Sequence, residues 1–431
     1  MISSSGSDDT ASGRSPSGGP VPEVPAAAPP AVSGRAPGRA TDLRPALAVV
    51  TLVFLASSYF SIAVNSIALG AMFLLWAVAM AGDPSLRPAR TILDYAFLAY
   101  VVAELLASAF SLDPSRSFVN AKRLLLIGIV YALASTLQNE RDQKRAVAVL
   151  LGAAGVVGAI GVVKVLLGWI DANQRLGVFQ FYMTTAGVMM IAALLLIPFV
   201  IHPATPRRVR IWSFLALIPV LISLYATVTR GAYLAVVAGA IAIAAIRNRR
   251  LLVPLAAVVA LTIIFAPPFV ESRIRSIVDL QHPENASRFM VWTASARIVA
   301  EYPILGVGDI DLGALFRRYA PPGYPDLWGH AHNNALQFLA TLGVAGFAVV
   351  LWMFVRVWTA AWRVHRASRD AWFEGSVALG ALAVFVGVQV HGLTEWSFGD
   401  QEVAVLLWTS LGLAMAVARS RGITDVVRRR P

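Results

Sequence analysis

The side chains best suited to chemistry in this chain are two histidines, His330 and His332, followed directly by Asn333 and Asn334. Imidazole titrates near pH 6.5 and accepts a hydroxyl proton around neutrality, so His332 is the leading candidate for a general base. These residues close the polar stretch 269–331 and open into the apolar run Ala335 to Val355. Polar groups at the mouth of a membrane helix are costly to desolvate. Their presence implies proton transfer or sugar binding where a water-filled site meets the bilayer. The plainer reading is a helix N-terminus where His330 or His332 bonds backbone groups. The two rings are expected on different faces of either a strand or a helix, hence in separate roles. His-x-His supplies two possible metal ligands, but the nearby carboxylate in sequence is Asp326 and no other His or Cys cluster appears. No metal site is expected.

Basic residues form the second group. Arg288 and Trp292 stand at i and i+4 in Asn285–Trp292, a segment that reads as a capped helix ending before Pro303. Arg297, nine residues on, points to the opposite face. Arg230 lies in Thr227-Val228-Thr229-Arg230-Gly231, Arg175 in Gln174-Arg175-Leu176-Gly177, and Lys122-Arg123 open another apolar run. Each has a plain explanation as a side chain snorkelling to lipid headgroups. Together they suggest fork-shaped donors for a phosphate at the membrane surface, such as an anionic lipid diphosphate. The sequence has no Gly-rich nucleotide loop and no Asp-x-Asp-type carboxylate pair, so a sugar transferase here needs a lipid-linked donor, not a nucleotide sugar.

The elements that position these residues are membrane helices. The chain is 57% hydrophobic and 14% charged, and its apolar runs recur at lengths that cross a hydrocarbon core of about 30 Å. These runs do not alternate as barrel strands do, so an all-α integral membrane protein is expected. The spans read as 45–59, 62–81, 91–110, 121–137, 145–169, 178–201, 211–228, 231–246, 251–268, 333–355, 374–395 and 401–418. The first two are close enough for a re-entrant hairpin. Residues 1–43, rich in Ser, Gly, Pro and Ala, read as a disordered cytoplasmic tail without a signal-peptide core. Residues 44–268 carry nine helices, 269–331 form one large external loop with short helices, 332–418 carry three more helices, and 419–431 form a basic cytoplasmic tail. With both termini inside, 24 of the 36 basic residues fall on the inner side and 11 on the outer, as the positive-inside preference demands. The net charge of +12 therefore reflects membrane topology and not nucleic-acid binding. Several outer arginines run against that preference. The absence of cysteine excludes disulfides and thiolate chemistry. Glu104 and Lys164 lie at similar depth within spans and are expected to pair or to line the site. Glu395 and Asp400 flank the last external turn, where exposure to solvent is the default.

The chain resembles the O-antigen ligase family, within the superfamily of O-antigen ligases and polymerases. The resemblance rests on His332-Asn333-Asn334-Ala335-Leu336-Gln337-Phe338 with Gly343-Val344-Ala345-Gly346, on Arg288-x-x-x-Trp292, and on Pro303-Ile304-Leu305-Gly306-Val307-Gly308. Thr229-Arg230-Gly231-Ala232 and Arg175-Leu176-Gly177 match weaker patterns. It implies a bacterial inner-membrane enzyme of the Gram-negative envelope with about twelve transmembrane helices and a periplasmic site. The implied reaction moves O-antigen from undecaprenyl diphosphate to a hydroxyl of lipid A–core, with no cofactor, metal or nucleotide. Carried over, His332 deprotonates the acceptor, and Arg288 and Arg230, with Arg175 and Arg123, bind the diphosphate. Lys122, Trp292, His330, Asn333 and Asn334 are further candidate substrate-binding residues, although His330 has no role in the pattern. An O-antigen polymerase, a protein O-oligosaccharyltransferase and a transporter or flippase are the rival expectations.

Overall fold

The computed structural model describes residues 43–171, 174–325 and 329–428. The tail 1–42 and Asp326 lie outside the described residues. Described residues form helices α1 (Arg44–Ser57), α2 (Ile62–Gly82), α3 (Asp94–Ala109), α4 (Pro114–Asn120), α5 (Gly128–Thr136) and α6 (Glu140–Leu166). There follow α7 (Tyr182–Ile201), α8 (Arg207–Ala226), α9 (Arg230–Arg247), α10 (Leu252–Ile264) and α11 (Pro268–Arg275). The last are α12 (Pro283–Glu301), α13 (Gly313–Tyr319), α14 (Asn334–Ser368), α15 (Trp372–His391) and α16 (Gln401–Ser420). A two-residue antiparallel ladder pairs Arg90 with Arg428 and Thr91 with Val427, tying the end of the chain to the α2–α3 connection.

Nine of the expected spans are long and apolar enough to cross a membrane among the described residues. One of these, Pro114–Thr136, is α4 and α5 joined through a 3-10 stretch at Ala121–Ile127. The other three expected spans are helical but short: α1 has 14 residues, α3 has 16 and α10 has 13. The protein is thus an α-helical, multi-pass membrane protein. Its centre is α16, buried from Glu402 to Ala418 and packed against α5, α7, α14 and α15. A helix apolar on every side belongs in the interior of a bundle. Outward faces are equally apolar, with Val253 75% and Ile67 73% exposed, the pattern of a surface meant for lipid tails.

The expected pairing of Glu104 with Lys164 is not formed. The Lys164 ammonium donates to the carbonyls of Gly177 (2.6 Å) and Val178 (2.9 Å). Glu104 instead lines a cavity with Tyr100, Arg123 and Asp309. Equal depth does not make neighbours: α3 packs on α14, whereas α6 packs on α8 and α1.

Two glycine motifs turn out to be one structural device. Helix α14 breaks at Gly343, where φ is +65° and ψ −173°. The segment 303–308 crosses at this break and satisfies the exposed backbone. Val344 N–H donates to Pro303 O (2.8 Å), while Val307 and Gly308 N–H donate to Ala340 O and Thr341 O (both 2.9 Å). A Cβ on Gly343 would lie 2.2 Å from Ile304 O, and one on Gly306 would lie 2.5 Å from Ala340 O. Only glycine allows two backbones this close at positive φ. The crossing locks the loop that carries α12 to the helix that begins after His332.

Candidate active site

Helix α12 presents Arg288 and Trp292 to the site. His282 caps it, its ring accepting from Glu284 N–H (3.3 Å), and Pro283 occupies the first turn, where its missing donor costs nothing. The helix begins two residues before the segment expected from sequence and stops at Glu301, as Pro303 requires. Arg297, on its opposite face, turns away to the Tyr319 carbonyl (2.7 Å).

His332 is 3% exposed and sits at φ +46°, a left-handed turn just before α14. The turn is held from both sides. Trp292 Nε1 donates to Ala331 O (3.0 Å), and Ala331 N–H donates to Gln337 Oε1 (2.8 Å). Asn333 caps α14 through Leu336 N–H (3.0 Å), and its amide donates to Leu393 O (3.1 Å). Asn334 clasps the α15–α16 turn, donating N–H to Gly392 O (2.7 Å) and accepting from Ser397 N–H (2.9 Å). The two asparagines and Trp292 therefore fix the shape of the turn, which is a positioning use of residues read as candidate substrate contacts.

The turn presents His332 Nδ1 to Glu395 Oε2 at 2.9 Å, and Arg288 Nη2 donates to Glu395 Oε1 at 3.0 Å. Glu395 is 8% exposed, so the expectation of a solvated carboxylate fails. The connection after α15 folds inward because Asn334 and Asn333 hold it. Burial alone would raise the Glu395 pKa. The hydrogen bond and charge of His332, then the Arg288 charge, overcome that and hold it at about 2. An ionised Glu395 only accepts, so Nδ1 of His332 carries a proton in either charge state, and in the neutral ring the lone pair is on Nε2. That is the arrangement of an oriented general base.

The expectation that His330 and His332 face apart is also overturned. Their ring centroids are 4.2 Å apart, because the segment is neither helix nor strand and the positive φ at His332 folds one ring onto the other. Burial, then the neighbouring His332, lowers the His330 pKa to about 4, so this ring is neutral at physiological pH. His330, His332 and Glu395 offer ligand atoms within 4.8 Å of one another, a spacing that suits a metal ion and that sequence reading missed for lack of Glu395. Both Glu395 oxygens are already engaged by Arg288 and His332.

Two cavities meet at Glu395. A small one is lined by Arg175, Arg230, Arg273 and Arg288 together with Glu284. Arg230 is 7% exposed; its Nη1 donates to Ser276 O (2.6 Å) and Oγ (2.8 Å), its Nη2 to Glu284 (2.9 Å) and Asn285 Oδ1 (3.1 Å). Arg175 bonds Glu284 (2.9 Å) and the Tyr182 hydroxyl. Burial would raise the Glu284 pKa, but hydrogen bonds from Arg175 and Arg273 and their charges bring it to about 2. The second cavity is a cleft of about 1220 Å³ containing His330, His332, Glu395, Phe60, Phe179, Phe181, Trp396, Asp309, Asp311 and Asp400. Such a volume accommodates a ligand larger than an ordinary metabolite. Its aromatic faces and carboxylate acceptors suit a hydroxyl-rich molecule. Arg123 lies in this cleft, bound to Asp309 at 3.0 Å, and not with the other arginines. Lys122 is exposed.

Residues 215–351 match the family model described as O-antigen ligase. That match makes this segment of the chain similar to the O-antigen ligase family. The matched segment carries Arg230, Arg288, Trp292, His332, Asn333, Asn334 and the Gly343 break, whereas Arg175 and Glu395 lie outside it. No curated protein matches the chain at a significant level. Members of the O-antigen ligase family are membrane glycosyltransferase-like enzymes that use lipid-linked polysaccharide, and the match supports a function of the ligase or polymerase type. Sequence reading missed Glu395, Glu284 and Arg273. Of these only Glu284 left a local signal, four residues before Arg288 and so on the same helix face.

Proposed function

We propose that the protein is an O-antigen ligase of the bacterial inner membrane, with its site facing the periplasm. It transfers O-antigen from undecaprenyl diphosphate to a sugar hydroxyl of lipid A–core. The observation that carries this reading is the meeting of a four-arginine pocket and a wide cleft at the Arg288–Glu395–His332 relay. The donor's diphosphate sits among Arg175, Arg230, Arg273 and Arg288. The glycan and the acceptor occupy the cleft.

His332 Nε2 takes the proton of the acceptor hydroxyl, and the oxygen attacks the anomeric carbon on the side opposite the diphosphate. The new C–O bond forms as the bond to the diphosphate breaks, which inverts the anomeric centre. The negative charge gathering on the leaving diphosphate is met by preorganised guanidinium forks in a site shielded from bulk water. Glu395 stabilises the imidazolium that results, and the proton leaves to solvent through the cleft. The arginines supply the positive charge that a metal would otherwise bring, so the reaction is written as metal-independent.

The test is a gel of surface lipopolysaccharide from a deletion strain complemented with wild type or His332→Ala, alongside its pool of lipid-linked glycan. Bare lipid A–core with long polymer still on the carrier, restored by wild type and not by His332→Ala, is the expected result. Core capped by a single repeat would make the protein a polymerase. An unchanged ladder would overturn the lipopolysaccharide assignment and point to a protein acceptor.

A further inference from the structure

Three of the four arginines in the small pocket are engaged by a carboxylate of the chain itself. Glu284 Oε1 accepts from Arg175 Nη2 and Arg273 Nη2 (both 2.9 Å), and Oε2 accepts from Arg230 Nη2 (2.9 Å) and Arg273 Nη2 (2.8 Å). The side chain is therefore placed where an anionic ligand of these forks would be. We propose that Glu284 is a built-in competitor for the diphosphate of the donor, setting a threshold that only a highly charged, many-oxygened anion crosses. The proposal rests on reading this pocket as the diphosphate site.

Four observations support competition over a purely structural staple. First, the pocket holds more positive charge than Glu284 neutralises: four guanidiniums face two carboxylates, Glu284 and Glu395. Second, buried donors remain, because Arg273 Nε and Arg288 Nε have no hydrogen-bond partner among the described residues. A single carboxylate has too few oxygens for this set of forks, whereas a diphosphate has enough. Third, Glu284 is the member best able to leave. Its side chain is 33% exposed, against 7% for Arg230, 11% for Arg175 and 17% for Arg273. Fourth, two forks are held without it. Arg230 stays fixed by Ser276 and Asn285, and Arg175 lies over the Tyr182 ring at 4.5 Å.

The consequence is selectivity. A ligand that must displace an intramolecular anion binds with its intrinsic affinity reduced by the fraction of time the site is open. A single phosphate group offers little beyond what Glu284 already supplies and stays below the threshold. A diphosphate also reaches the unused donors of Arg273 and Arg288. A site at the level of lipid headgroups then ignores monophosphate lipids and admits a lipid diphosphate.

The experiment is calorimetric titration of the purified full-length chain in detergent with inorganic pyrophosphate and, separately, with inorganic phosphate. Wild type is compared with Glu284→Gln and with Glu284→Asp, which keeps the charge but shortens its reach. Pyrophosphate is expected to bind Glu284→Gln about tenfold tighter or more than wild type, with Glu284→Asp between them. Phosphate binding becomes measurable only in the variants. Equal or weaker pyrophosphate binding by Glu284→Gln means that Glu284 organises the arginines and overturns the competitor role alone. Should Glu284→Gln not fold, the same comparison is read from Glu284→Asp. Wild type binding phosphate as tightly as pyrophosphate overturns the threshold. Failure of every form to bind pyrophosphate overturns both the competitor and the reading of the pocket.

Discussion

Glu395→Gln tests the relay most directly. The substitution keeps shape and hydrogen-bonding capacity but removes the charge that accepts from both Arg288 (3.0 Å) and His332 (2.9 Å). A neutral amide can turn its nitrogen toward His332 and select the wrong tautomer, and it no longer stabilises an imidazolium. General-base assistance contributes about 10²- to 10⁴-fold to rate, or roughly 3 to 5.5 kcal/mol of barrier at about 1.4 kcal/mol per tenfold. The turnover number is expected to fall by that factor, while KM for the donor moves less than about threefold, since the charge acts on the transition state. Folding stability is expected to fall by about 1–3 kcal/mol, the cost of a buried charged group left poorly matched. The assay is transfer of labelled lipid-linked glycan to acceptor by purified protein in liposomes, with monodispersity and thermal midpoint as controls. Two results refute the reasoning. One is a Glu395→Gln turnover within about threefold of wild type. The other is a His332→Ala/Glu395→Gln double variant whose loss is the product of the single losses, since residues acting as a unit are strongly non-additive.

Further outcomes follow from the same structure. Arg288→Lys is expected to lose most transfer with normal insertion, because a point charge does not reproduce the fork that reaches Glu395 and the pocket together; near-normal turnover would show that the fork is not needed. Acid is expected to destabilise the protein in two stages. Between pH 6.5 and 4 the unfolded chain binds a proton at His330 that the folded chain refuses, and from pH 4.5 to 2 the same holds at Glu284 and Glu395. Each folded pKa lies below the ordinary value, so stability is complete above the ordinary pKa and is lost as pH falls. His330→Gln should flatten the upper stage of a melting-temperature profile, and an unaltered profile would refute the burial argument. Gly343→Ala is expected to lower stability by at least about 1–3 kcal/mol through strain at positive φ, before the clash with Ile304 O is counted. A thermal midpoint within error of wild type would show that the α14 break tolerates a side chain.

Much of this protein is set by local sequence. Apolar runs too long for anything but membrane helices and basic residues gathered between them determine the class, because lipid leaves a backbone no partner outside itself. The Arg288–Trp292 face was legible from the helix period, whereas the motif around His332 and the glycines of 303–308 and 343–346 stood out only as a family resemblance, since the glycine crossing joins segments distant in the chain. What lay beyond reach was pairing across the chain. Glu395 stands 63 residues from His332 and 107 from Arg288, and Arg175 lies 109 residues from Glu284. The solvated reading of Glu395 failed because its burial is decided by the asparagines that clasp the α15–α16 turn. The pairing of Glu104 with Lys164 failed because depth along a helix says nothing of which helix is adjacent. His330 and His332 meet through one positive φ that no periodicity encodes. Sequence by itself determined the helical membrane class and singled out the candidate groups around His332 and Arg288. Only the tertiary packing decided which carboxylate meets which cation, since a buried charge is stable only beside its partner, and partners are set by which helices touch.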